Sequence, residues 1–88
     1  MTERLFTIKN RLGIHARPAA LFVQEAAKFK SQILVIKDGL EVNGKSVMGL
    51  MLLAAEGGSK LMVKADGPDE AKALEALGKI FDRKFDED

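Results

Sequence analysis

One histidine occurs in the chain, His15, in the run Gly13-Ile14-His15-Ala16-Arg17-Pro18-Ala19-Ala20, where a turn is expected to feed into a helix. Near neutral pH an imidazole is either an uncharged nucleophile or a cation. The first turn of a helix offers free N–H groups and positive potential to an anion. A phosphoryl group carried on His15 would meet both conditions. Arg17 stands at the same helix start, where its charge opposes the helix dipole, so no local stabilisation explains it. Its planar guanidinium suits phosphate oxygens instead. The expected anion site is therefore the helix start at Ala16 and Arg17. The plainer alternatives are a histidine that only caps the helix and an arginine that is only solvated. No cysteine or second histidine is present, so no metal site is expected.

A second candidate is Ser46, a good N-cap for the apolar run Val47-Met48-Gly49-Leu50-Met51-Leu52-Leu53. A phosphate on it would be tolerated by a helix N-terminus, so modification should add surface charge without melting the helix. Leu50, Leu53 and Ala54 are expected to face the sheet. Val47, Met48, Met51 and Leu52 then point elsewhere, and exposed methionine and aliphatic surface marks an adaptable docking patch. Ile14, Ala20 and Leu21 are assigned to the same patch. The alternative is that loops or a dimer contact cover it.

The elements that must position these residues follow from periodicity. Leu5 to Ile8 reads as a first strand with Phe6 and Ile8 on one face, and Asn10 to Gly13 as a turn. From Ala16, the residues Ala19, Phe22, Val23, Ala26 and Phe29 recur at helical spacing, with Pro18 in the first turn where a missing N–H is harmless. Ile33 to Ile36 and Leu40 to Val42 form a hairpin about Asp38-Gly39. Val47 to Ala55 predicts a short helix stopped by Gly57-Gly58. Lys60 to Asp66 alternates as a fourth strand, with Leu61, Val63 and Ala65 on one face. Gly67-Pro68-Asp69 then opens a last helix with the stripe Ala71, Leu74, Leu77 or Gly78, and Phe81. The order is βαββαβα, an α+β fold: an open-faced β-sandwich whose four-stranded, largely antiparallel sheet is covered on one face by three helices.

Eighty-eight residues make a single domain, residues 1–88. A hydrophobic fraction of 47% with 31% charged residues is globular rather than disordered. The charged N-terminus lacks the apolar core of a signal peptide, and no segment reaches membrane-spanning length, so a cytoplasmic protein without membrane insertion is expected. A formal net charge of +1 argues against direct nucleic-acid binding, which needs a concentrated basic surface. No set of metal ligands is evident in the sequence, and no nucleotide, magnesium or other cofactor is expected.

Gly13-Ile14-His15-Ala16-Arg17-Pro18-Ala19 resembles the active-site signature of the HPr family, the histidine-containing phosphocarriers of the bacterial phosphoenolpyruvate-dependent sugar phosphotransferase system. The likeness extends to length, element order, histidine position and the Ser46 motif. It implies that His15 takes a phosphoryl group on Nδ1 from phosphorylated enzyme I and passes it to a sugar-specific enzyme IIA component, with Arg17 stabilising the transfer. Such a protein is a relay rather than an enzyme, and a monomer is expected. Asn43-Gly44-Lys45-Ser46-Val47-Met48-Gly49 resembles the regulatory-serine segment of relatives acted on by the ATP-dependent HPr kinase/phosphorylase. There phosphoserine impedes transfer and creates a corepressor for a catabolite-control transcription factor. Two alternatives are a nitrogen-branch phosphocarrier, to which the ending Phe85-Asp86-Glu87-Asp88 has some likeness, and a regulatory binding module acting through phosphorylated Ser46.

Overall fold

Asp38 and Gly39 take φ of 50° and 84°, the pair of positive angles that lets a two-residue turn follow the right-handed twist of its strands. The hairpin they close joins β2, Gln32–Lys37, to β3, Leu40–Asn43, with Lys37 opposite Leu40. The computed structural model describes residues 1–87 and places this hairpin at one side of a four-stranded sheet of order β1-β4-β2-β3. The first strand, β1, is Thr2–Thr7 and pairs with β4, Lys60–Asp66, which also pairs with β2. Every pairing is antiparallel. β1 is longer at its start than the apolar run implied, because the polar Thr2 to Arg4 also find ladder partners in Ala65 to Val63.

Alternation along β2 and β4 turns Ile33, Val35, Leu61, Val63 and Ala65 inward. Leu34, Ile36, Met62 and Lys64 line the other face and stay partly exposed, as an open-faced sheet requires. The helices α1, Ala16–Ala26, α2, Val47–Leu52, and α3, Glu70–Asp82, form the second layer. α3 lies over β1 and β4, α1 packs beside it, and α2 contacts α1 and β3. In α1 the buried stripe is Ala19, Phe22 and Ala26, with Val23 partly covered; Phe29, expected on the same stripe, lies beyond the helix end at Ala26 in a turn and still packs against the core. In α3 it is Ala73, Leu74, Leu77, Gly78, Ile80 and Phe81. Ala71 was expected in that stripe but is exposed, since it sits on the solvent side of the first turn.

α2 is shorter than expected. Its last residue is Leu52, and Ala54 takes φ of 49°, which ends the helix before the glycines are reached. That left-handed turn also moves Ala54 out to solvent instead of against the sheet, whereas Leu50 and Leu53 are buried as expected.

An aromatic row ties the far end of the chain to this core. Phe81 stacks on Phe6 at 4.7 Å between ring centres, meets Phe22 edge-on at 6.1 Å, and meets Phe85 edge-on at 5.0 Å. Phe85 belongs to a one-turn 3-10 segment, Lys84–Asp86, whose residues have φ of 56°, 53° and 58°. This left-handed course costs about 1–2 kcal/mol per residue for L-amino acids. Burial of the Phe85 ring offsets it and turns the chain back toward the start of α1.

Candidate functional site

The loop before His15 is fixed from three sides. Gly13 donates to the Asn10 carbonyl at 3.2 Å, and Ile14 donates to the Ala55 carbonyl at 2.8 Å. Ile8 exchanges backbone bonds with the segment after α2, donating to Ser59 and accepting from Gly58, both at 2.8 Å. Asn10 is fully buried, and its Nδ2 donates to the Gly13 carbonyl at 2.7 Å and to Glu87 Oε1 at 3.0 Å. The exit of α2 and the entrance of α1 are thereby held as one unit.

His15 is the N-cap of α1 through its backbone alone: its carbonyl accepts from Ala19 at 3.0 Å, while its side chain takes no bond from the first turn. Pro18 has no N–H, so the donors left at this helix start are those of Ala16 and Arg17. No acidic residue lies in the first turn to compete for them. The imidazole is 39% exposed. Its Nε2 faces Glu87, with Oε2 at 2.9 Å and Oε1 at 3.1 Å. Arg17 is exposed and lines a shallow recess with Arg11, Leu12, Asp86 and Glu87. A half-exposed imidazole, two helix-start amide donors and an exposed guanidinium make up a site that can hold an oxyanion group on the ring. Among the described residues no group of three or more His, Cys, Asp or Glu could hold a metal ion.

A family model described as the PTS HPr component phosphorylation site matches residues 2–83. The chain belongs to the HPr family. It is 47% identical over 88 residues to the phosphocarrier protein HPr of Treponema pallidum (strain Nichols), covering all of both chains. It is 52% identical over 77 residues to the HPr-like protein Crh of Halalkalibacterium halodurans, covering 88% of this chain and 92% of that one. The crystal structure of HPr-C-His from Thermoanaerobacter tengcongensis superposes with a TM-score of 0.95 at 50% identity, covering 100% of this chain and 99% of that one. A crystal structure of the HPr dimer from the same organism superposes with a TM-score of 0.77, covering 97% and 98%.

The expected site residues fall into two groups. His15, Ala16 and Arg17 come together at the start of α1. Ser46 caps α2, accepting from the Gly49 N–H at 3.0 Å. Met48 and Leu52 are 79% and 71% exposed and Met51 is 45% exposed, so an apolar face of α2 does point outward. Val47, Ala20 and Leu21 are half-buried at its margin. Ile14 does not belong to that surface. It is 7% exposed because the Ile14 to Ala55 hydrogen bond turns its side chain into the core. The residues that sequence reasoning missed are Asn10 and Glu87. Glu87 reads as one charge in an acidic ending, and the only pointer to its place was the isolated aromatic Phe85 just before it. Asp88 lies outside the described residues.

Proposed function

We propose that this protein accepts a phosphoryl group on His15 Nδ1 from phosphorylated enzyme I and passes it to an enzyme IIA component. The observation that carries the reading is the cap geometry. His15 caps α1 with backbone only, leaving the Ala16 and Arg17 N–H groups for phosphate oxygens. Phosphoryl transfer needs positioning and charge stabilisation more than covalent machinery, and the Arg17 guanidinium supplies the remaining charge. Partners dock on the outward face of α2, through Val47, Met48, Met51 and Leu52 with Ala20 and Leu21 beside it, and complete the site. The protein acts in the cytoplasm as a monomer, without metal or cofactor.

Ser46 is the regulatory position, modified by an ATP-dependent HPr kinase/phosphorylase. Support comes from its place as cap at the edge of the docking face, where a doubly charged group would repel a partner with acidic docking groups. A second reading, favoured by the similarity to Crh, is a binding module whose phosphorylated Ser46 engages a catabolite-control transcription factor. Keeping both His15 and Arg17 favours the carrier.

Two labelling reactions test this. Phosphoenolpyruvate with enzyme I should give an acid-labile label that His15→Ala abolishes, and absence of label on the wild type refutes the carrier. ATP with HPr kinase should give an acid-stable label lost in Ser46→Ala; without it, Ser46 is only a cap.

A further inference from the structure

Glu87 reaches His15 from 72 residues away in sequence and meets the ring at Nε2. The contact is built rather than incidental. Glu87 is only 14% exposed in its side chain, and its Oε1 is shared with the Nδ2 of the fully buried Asn10. Both Nδ2 partners, the Gly13 carbonyl and the Glu87 carboxylate, are acceptors, so the Asn10 amide can present only its NH2 to them. An ionised carboxylate also only accepts. Its approach to 2.9 Å therefore calls for a proton on Nε2, and which ring nitrogen carries the proton is set by the bond the other makes. A neutral His15 held this way has its lone pair on Nδ1.

We infer that Glu87 is a positioning residue for group transfer at His15, holding the Nε2 proton so that Nδ1 is presented as the nucleophile. The inference rests on the carrier reading and adds to it a residue outside the histidine motif. In the accepting step the Nδ1 lone pair forms the new N–P bond. The bond from phosphorus to the donor atom of phosphorylated enzyme I breaks, and its electron pair leaves with the donor. Nε2 keeps its proton, so His15 becomes an N-phosphorylated imidazolium and Glu87 now faces a cation. The contact strengthens as the reaction proceeds, which favours the transition state over the ground state. In the donating step the N–P bond breaks and the retained Nε2 proton lets the ring depart as neutral imidazole instead of imidazolate, a far poorer leaving group. Arg11, Leu12, Arg17 and Asp86 line the same recess as Glu87.

The test uses the full chain as wild type, Glu87→Ala and Glu87→Gln, each with folding checked by its amide spectrum. Imidazole 15N shifts read the tautomer, and rapid-quench labelling with phosphoenolpyruvate and enzyme I reads the accepting rate. The wild-type neutral ring should be the Nε2–H form. Glu87→Ala should sample both tautomers and accept phosphoryl on the order of tenfold more slowly, the low end of the loss found when the partner orienting a metal-binding histidine is removed. Glu87→Gln keeps an oxygen for the proton but loses the charge, so it should retain the tautomer with an intermediate rate. If Glu87→Ala does not fold, Glu87→Gln decides: a wild-type rate refutes the role of the charge. Labelled wild type matched by folded Glu87→Ala in both tautomer and rate overturns the role of Glu87 alone. Wild type that takes no label while Glu87→Ala still alters the tautomer overturns the carrier reading alone.

Discussion

Replacing Gly13 by alanine should damage this protein far more than the same change at Gly39. Both glycines sit in the left-handed region, at φ of +73° and +84°, so each alanine variant carries a backbone penalty of about 1–2 kcal/mol. Only Gly13 has a neighbour in the way. A Cβ there would lie 2.2 Å from the Ala55 carbonyl oxygen and 2.8 Å from the Glu56 Cα, whereas nothing lies within 4 Å of one at Gly39. The two loops must separate by about 1 Å before a methyl group fits. That movement strains the Ile14 to Ala55 hydrogen bond, now 2.8 Å long, past useful length. Overpacking of this kind costs about 1–3 kcal/mol. The expected difference between the variants is therefore about 2 kcal/mol, or roughly 10 °C in Tm for a domain of this size. Urea and thermal unfolding of the two proteins measure it directly. Equal losses in Gly13→Ala and Gly39→Ala would refute the claim that the histidine loop is wedged against the exit of α2.

Asp69 accepts from the Ser31 hydroxyl and from the Lys30 and Ser31 N–H groups, which hold its carboxyl at about 2, below the usual 3.8. A depressed carboxylate adds stability above its unfolded pKa and loses it as pH falls, so wild type should weaken between about pH 4 and pH 2. Asp69→Asn should be less stable at neutral pH and show a flatter acid limb, as denaturant melts across that range would reveal. Ser46→Ala removes the acceptor for the Gly49 N–H and should cost about 1 kcal/mol in urea midpoint analysis; no loss would mean the cap bond does not form in solution. Phe85→Ala empties a fully buried ring site. Without that anchor the left-handed turn should detach, and hydrogen exchange at the Asp86 and Glu87 amides should rise to the rate of an unprotected chain.

The elements were legible wherever a side chain's fate depends on local period. Leu61, Val63 and Ala65 alternate inward, Ala19, Phe22 and Ala26 follow one helix face, and Ser46 stands directly before an apolar run that needs a cap. The histidine, the arginine and the two helix starts were readable for the same reason. What escaped depends on contacts between distant segments. Ile14 reads as part of the exposed motif, and only a hydrogen bond to Ala55 turns it inward. Ala54 ends α2 in a left-handed conformation that alanine does not advertise. Lys84, Phe85 and Asp86 adopt that conformation in succession with no glycine or asparagine to signal a turn, so nothing local places Glu87 against an imidazole near the other end of the chain.

The position of β4 between β1 and β2 governs the order in which this molecule can be assembled. β1 has no other neighbour in the sheet, so during synthesis Thr2–Thr7 waits, unpaired, until Lys60–Asp66 has emerged. Such distant pairing closes late and slows folding relative to the local hairpin. The imidazole's surroundings are later still, drawing on Asn10, Ala55 and Glu87. A nascent chain can therefore expose the histidine motif long before the motif has its working geometry, and the emergence of Glu87 becomes the event that completes it.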